Sequence, residues 1–546
     1  LLFIRHALLS KLLTASLLLG SALAAQAQST LPRLVKTGPS TQLLVEDKPY
    51  LILGGELGNS SSSSTAYMQP IWPKLQAMHL NTVFAPVYWE LLEPTEGQFD
   101  FKLVDELLAD ARKHHIKLVL LWFGAWKNSM SVYAPAWVKT NPSRFPRATD
   151  AQGRPQEIMT PFSPANLEAD KKAFVRLMQH LKQTDSRTHT VLMVQVENEI
   201  GMLPEARSYD AAAQAAFAQP VPEKLLTYLQ RNSASLRPEF AAQWQRHGAK
   251  TQGTWTEVFG PGVATDEIFQ AWYYADFTNA LAAAGKAAYP LPMYVNAALN
   301  YRADRLPGQY PSAGPLPHLA DVWEAGAPAI DILAPDYYNP NFRYWSDLFT
   351  RSGRPLFTPE IAFEPGDDAK ALYAFGRYNC LSFSPFSIES TDKPAQEPIG
   401  KAYDLLQQVT PLLTHYQPLG AVRGFMQAKD SAAGRATLGN YRFTVKHDNT
   451  LGWTPESKKT DWPLTGGLII SVAPDEFYVV GTGLVITCEP TAAGKKAGFV
   501  SIDEGRFING AWTLGRRLNG DQDHQGRHIR LELGSYDIQH VKLYTY

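Results

Sequence analysis

The chain has 546 residues, with 51 Lys plus Arg against 52 Asp plus Glu. So even a balance gives no net field for nucleic acid or an anionic membrane surface, and the length calls for roughly two or three domains, one large barrel counting as one. Aromatics make up 11% of the chain, including 13 Trp and 24 Tyr, enough to fill a large core or to stack on sugar rings.

At the start, LLFIRHALLSKLLTASLLLGSALAAQAQST places Arg5 and Lys11 beside an apolar run from Leu12 to about Ala25, with small residues around Ala25 and Ala27. This reads as a secretory signal peptide over residues 1–27, its apolar run shorter than the roughly 20 residues a membrane span needs. The mature protein is expected to be exported, periplasmic or secreted, with no membrane segment left after cleavage. Cys380 and Cys488 lie far apart in different expected domains, so they read as two unpaired thiols and not as a disulfide framework.

From about residue 50 to 390, short apolar runs alternate with helical patterns. The runs are LILGGELG (51–58), NTVFAPVYW (81–89), KLVLLWFGAW (117–126), VLMVQVENEIG (191–201), PMYVNAALN (292–300), IDILAPDYY (330–338), PLFTPEIAF (355–363) and CLSFSPFSIE (380–389). Near-continuous apolar strands separated by helices imply a parallel sheet covered on both faces, and eight such units imply an α/β fold of the (β/α)₈ TIM-barrel type, over residues 35–405. The serine tract at 60–65 reads as a mobile first loop. Residues 203–289 are too long for a simple connection and read as an insertion after the fourth strand. Beyond about residue 410 the pattern changes to alternating β-rich segments such as YRFTVKHD, EFYVVGTGLVITCE and HVKLYTY, with Gly and Asn turns between them. Residues 410–546 are therefore expected to form an antiparallel β-sandwich or jelly roll, one that braces the barrel in preference to binding carbohydrate.

In such a barrel the open face lies at the carboxyl ends of the strands, so chemistry is sought there. Glu56, Glu90, Glu93, Glu197, Glu199, Asp336, Glu360, Glu364 and Glu389 all fall at or just beyond strand ends. No Ser-His-Asp set, phosphate loop or cysteine cluster competes with them. Two carboxyls facing each other from different strands are what glycoside hydrolysis requires, one to protonate the leaving oxygen and one to attack or to activate water. Period-two alternation in VQVENEIG puts Gln195, Glu197 and Glu199 on one face with Glu199 nearest the open end, which favours Glu199 as the acid. Glu360 lies within the seventh strand while Glu364 lies in the loop before Pro365, which favours Glu360 as the nucleophile.

VLMVQVENEIG resembles the acid/base segment of glycoside hydrolase family 35, the β-galactosidases, within a larger clan that carries its acid/base on strand four and its nucleophile on strand seven. WPKLQAMHLNTVFAPVYWELLEPTEGQFDF, from Trp72 to Phe101, is similar to a second motif of that family. The resemblance covers residues 35–405, and the last domain looks like the short β domain of a bacterial branch. It implies that Glu199 is the acid/base, Asn198 the contact to the sugar 2-hydroxyl and Glu360 the nucleophile, in a retaining reaction that needs no cofactor or metal. Since Asn198 and Glu199 are both used, it also implies an irregular or bulged end to the fourth strand.

The chain departs from the family where Pro86, Glu90, Leu92 and Met130 replace its usual residues. Asn128 is expected to keep one sugar contact, and the others are expected to be rebuilt from Glu56, Trp126, Tyr337 and Tyr338. The expected function is removal of terminal β-D-galactose from an oligosaccharide, such as a galactosylated xyloglucan fragment, with the oligomeric state open to a homodimer. The alternatives are a clan relative acting on another β-linked sugar and a non-catalytic carbohydrate-binding barrel.

Overall fold

The computed structural model describes residues 30–302, 304–338 and 340–546; the expected signal peptide lies outside them. Eight strands close a parallel barrel: β1 Ile52–Glu56, β2 Thr82–Tyr88, β3 Lys117–Phe123, β4 Val191–Val196, β5 Met293–Ala298, β6 Ile332–Tyr337, β7 Thr358–Ile361 and β8 Ser382–Pro385. All eight expected runs are strands, and β8 pairs back onto β1 through Ser382–Ile52 and Phe383–Leu53. Every residue of β2 and of β4 is buried, as a sheet covered on both faces requires.

The barrel helices are α1 Ile71–Ala77, α2 Lys102–Lys113, α3 Pro164–Asp185, α4 Val263–Ala288, α5 Ala320–Gly326, α6 Phe342–Phe349, α7 Asp367–Arg377 and α8 Pro398–Tyr416. α3 starts where Ser163 accepts a hydrogen bond from the Asn166 N–H, with Pro164 at its first position. α4 corrects the expected insertion. It is the barrel's own helix between β4 and β5, and where it meets the α3 layer a Cβ at Gly285 would fall 2.4 Å from the Phe174 ring. The added segment is thus confined to residues 203–262, with short helices at Glu223–Arg231, Pro238–Arg246 and Trp255–Phe259. The serine tract is also corrected: Ser61 and Ser62 are buried in a one-turn helix, where Ser62 donates to the Pro86 carbonyl at 2.7 Å and Ser61 to Glu389 at 2.5 Å.

The amino-terminal end of the barrel is closed by an antiparallel sheet not read from the sequence, formed by Arg33–Thr37, Ser40–Val45 and Lys48–Tyr50. Its Leu43 and Val45 share a buried cluster with Ile52, Phe84, Val119, Tyr294 and Phe357 inside the barrel. The other end is therefore the open one.

After α8, which runs past the expected boundary to Tyr416, the chain forms a six-stranded and a four-stranded antiparallel sheet. The alternating burial of Tyr441–His447 points Tyr441, Phe443 and Val445 into a core shared with Phe425, Ile469, Phe477 and Val541. The six-stranded sheet turns its other face to α7. There a Cβ on Gly376 would lie 2.6 Å from the Gly424 Cα, and one on Gly466 would lie 2.5 Å from the Ala369 carbonyl oxygen. Glycine is needed at both places because backbone meets backbone.

Candidate active site

The end of β4 departs from alternation through two left-handed residues, Glu197 at φ 61° and Glu199 at φ 42°. Such a conformation costs a non-glycine residue of order 1–3 kcal/mol, so surrounding contacts must fix it. Here they do. The Asn198 N–H donates to the Trp126 carbonyl at 3.3 Å, the Glu199 N–H donates to Asn296 Oδ1 at 2.9 Å, and Asn198 Nδ2 donates to the Lys127 carbonyl at 2.8 Å. The strand end is irregular, as the resemblance implied.

This turn sends the two glutamates to different places. Glu197 goes inward, where its Oε2 accepts the Trp126 backbone N–H at 2.8 Å and its carboxyl lies beside that of Asp170 on α3. Burial and the Asp170 charge push Glu197 well above the usual range, so it carries the shared proton, while Asp170 accepts from Trp122 Nε1 at 2.8 Å and the Ala125 N–H at 3.0 Å. Glu199 goes to the mouth.

There, one carboxylate oxygen from each of Glu199, Asp336 and Glu360 lies within 4.8 Å of the other two. That falls with the closer spacing of retaining glycosidases, about 5 to 5.5 Å, and short of the roughly 6.5–9.5 Å of inverting ones. The register brings the last two together, because Asp336 at the end of β6 pairs with Glu360 on β7. Glu56, at the end of β1, is buried beside them, and burial and the Glu360 charge hold its carboxyl protonated well above the usual range. Burial and the Glu360 charge likewise raise Glu199 to about 7, against the pull of Lys127. Burial also raises Glu360, but less freely, because Lys127 and the Tyr338 hydroxyl, which donates to Glu360 Oε1, both favour the charged form. Asp336 is wholly buried and raised well above its ordinary value by burial and then by Glu360.

Among the described residues, Glu199, Asp336 and Glu360 are also the carboxyl set that converges closely enough to hold a cation. The Lys127 ammonium already faces them, 3.9 Å from Glu199 Oε2 and passing over the Phe123 ring.

Of the expected sugar contacts, Glu56 and Tyr338 are at the site. Asn198 is buried at its edge, with Oδ1 accepting from Gln195 at 2.6 Å and from Asn296 at 3.1 Å. Three others are corrected. Trp126 is fully buried, its ring edge-on to Tyr274 and Phe277 behind the strand. Tyr337 faces outward, 2.8 Å from the Ser346 hydroxyl on α6, because alternation along β6 points Asp336 inward and its neighbour away. Asn128 spends its carbonyl oxygen on its own turn, accepting from the Met130 N–H at 2.9 Å and Ser131 Oγ at 3.0 Å. Lys127, Asn296 and a role for Asp336 were not read from the sequence, nor was Tyr301, which is half exposed and feels the charges of Glu199, Asp336 and Glu360. The signal for Asn296 and Asp336 was their place near the carboxyl ends of neighbouring strands.

Residues 63–277 match the glycoside hydrolase family 42 model, described as Beta-galactosidase, and residues 399–530 match a domain of unknown function, DUF5597. A Xanthomonas manihotis protein named Beta-galactosidase is 28% identical over 221 residues, which are 39% of this chain and 35% of that protein, so the match spans about a third of the relative's length. Gan42B, a GH42 beta-galactosidase from G. stearothermophilus, is 11% identical and shares the fold, with a TM-score of 0.52 over 93% of this chain and 100% of that one. A β-galactosidase structure from Bacillus circulans sp. alkalophilus is 16% identical over 66% of this chain and 56% of that one, with a TM-score of 0.45. An acid at the end of strand four is a property of the whole clan, so VLMVQVENEIG could not separate its families. Residues 63–277, which run from before β2 into α4, accordingly match glycoside hydrolase family 42 and not family 35.

Proposed function

We propose that the chain is a retaining exo-β-galactosidase in which Glu360 attacks the anomeric carbon and Glu199 protonates the leaving oxygen. One observation carries this reading: the convergence of a Glu199 and a Glu360 carboxylate oxygen to within 4.8 Å at the barrel mouth. The electrostatics agree with it. A carboxyl raised to about 7 can hold a proton at neutral pH, while the neighbour supported by Lys127 and Tyr338 can be ionised. In the first half-reaction a Glu360 oxygen bonds to C1 as the C1–O glycosidic bond breaks, and the Glu199 proton passes to the departing oxygen. In the second, Glu199 takes a proton from water, the hydroxide attacks C1, and the ester to Glu360 breaks. The name of the Xanthomonas manihotis relative and the family 42 match support galactose as the sugar.

A galactosylated plant oligosaccharide such as a xyloglucan fragment is the preferred substrate. The departures from the family pattern at Glu90, Leu92 and Met130 and the residue 203–262 addition after β4 support a substrate other than simple lactose. Export fits that substrate and rests on the Arg5-to-Ala27 sequence pattern. The test is an assay on aryl β-galactoside. Glu360→Gly should abolish turnover and be rescued by azide with inverted product, and Glu199→Ala should spare substrates with activated leaving groups. Binding of galactoside without turnover by the unmodified protein would overturn the reading in favour of a non-catalytic barrel.

A further inference from the structure

β4 and β5 pair through Val194–Met293 and Gln195–Tyr294, and their ladder stops there. Above it the turn that carries Asn198 and Glu199 leaves the strand line, so its backbone N–H groups need partners other than a neighbouring strand. The Glu199 N–H finds one in a side chain, donating to Asn296 Oδ1 at 2.9 Å. Asn296 is buried on β5, two residues past Tyr294 and so on the same inward face.

The other half of that amide is equally committed. Asn296 Nδ2 donates to Asp336 Oδ2 on β6 at 2.7 Å and to Asn198 Oδ1 at 3.1 Å. A backbone N–H can only donate, so the atom facing Glu199 is the amide oxygen, and this fixes which way the amide points. One side chain thus stands in for the missing ladder and bridges three strands.

We propose that Asn296 is the positioning residue of the acid/base, holding Glu199 in its left-handed turn and tying that turn to Asp336. This rests on the reading above in which Glu199 is the proton donor. At φ 42° Glu199 occupies a conformation that costs of order 1–3 kcal/mol, so a backbone released from Asn296 gains by turning back toward extended geometry. That turn would swing the Glu199 carboxyl off its line to the leaving oxygen. Asp336 is the register partner of Glu360, so the same amide touches the backbone of one proposed catalytic residue and the strand neighbour of the other. The meeting of Glu199, Asp336 and Glu360 oxygens within 4.8 Å has Asn296 as its common support.

An amide that only filled the core would weaken every substrate alike, whereas one that aims the acid matters most where the leaving group needs a proton. The test therefore measures kcat/KM, which reports the bond-breaking half-reaction, on phenyl and dinitrophenyl β-galactosides. Phenolate needs a proton as it departs and dinitrophenolate does not, and Glu199→Ala supplies the reference split between them. Asn296→Leu keeps the bulk and removes the hydrogen bonds to Glu199, Asn198 and Asp336. Misplacing a catalytic group by about 1 Å costs about a hundredfold, so this variant should lose about that factor on the phenyl substrate and about tenfold or less on the dinitrophenyl one. Asn296→Asp keeps the acceptor for the Glu199 N–H and loses both donors, and should show the same split in smaller measure. Azide attacks C1 as the bond to Glu360 breaks and gives up no proton, so it should raise kcat of Asn296→Leu on the dinitrophenyl substrate and yield the β-galactosyl azide.

Val295→Ala is the control, since Val295 is buried on the outward face of the same strand. It should lower Tm and give no split. An equal fall on both substrates in either Asn296 variant would overturn the proposal, as would a split in Val295→Ala as large as that of Asn296→Leu. Absence of a split in Glu199→Ala would instead remove the reading of Glu199 as the acid, and this proposal with it.

Discussion

At the residue scale the site is governed by how burial and two donors divide a set of acids. As the proposed acid, Glu199 must hold a proton, so turnover should be present below about pH 7 and be lost as pH rises through that value. As the proposed nucleophile, Glu360 must be ionised, and burial raises it above the usual glutamate range, so the acid limb should fall at a higher pH than an ordinary glutamate would give. A bell-shaped kcat/KM profile with this narrow top is the expected measurement. Tyr338→Phe removes the hydroxyl that donates to Glu360. A hydrogen bond to a charged group is worth about 1.5–3 kcal/mol, so kcat/KM should drop about tenfold to a hundredfold and the acid limb should move up. An unmoved acid limb would mean that the tyrosine only packs.

At the element scale the end of β4 shows what could and could not be read from letters. All eight strands were legible because each is a buried run with one meaning, and Glu199 and Glu360 were legible because barrel geometry sends strand ends to the mouth. Trp126 and Tyr337 were misread because a strand end does not say which way its last side chains turn: one ring packs against Tyr274 and Phe277 and the other reaches Ser346. Lys127 was invisible because it lies in a loop, where no period assigns a direction. The reassignments are testable by stability. Trp126→Ala should destabilise by about 3–5 kcal/mol in urea unfolding, a core effect and not the loss of a sugar platform. The inward glutamate offers a sharper comparison. Glu197→Gln keeps both a donor for Asp170 and an acceptor for the Trp126 N–H and should cost little, whereas Glu197→Ala strands both and should cost about 1–3 kcal/mol.

At the scale of the whole molecule the second domain is tied to the barrel by backbone. A Cβ on Gly424 would lie 2.6 Å from the Tyr373 carbonyl oxygen and 2.7 Å from the Arg377 nitrogen, both on α7. Gly424→Val should therefore push the sheet off the helix and lower Tm, at an overpacking cost of about 1–3 kcal/mol. The domain's existence was plain from its alternating strands, but this attachment was not, since glycines in a strand pattern signal a close approach without naming the partner.

That attachment falls on the helix that directly follows β7, the four-residue strand bearing Glu360, and Leu464 of the second domain packs over Gly366 in the loop between them. The proposed nucleophile is thus splinted from outside the barrel that houses it. Heating should extinguish turnover when the splint lets go, even while the eight-stranded wall still stands.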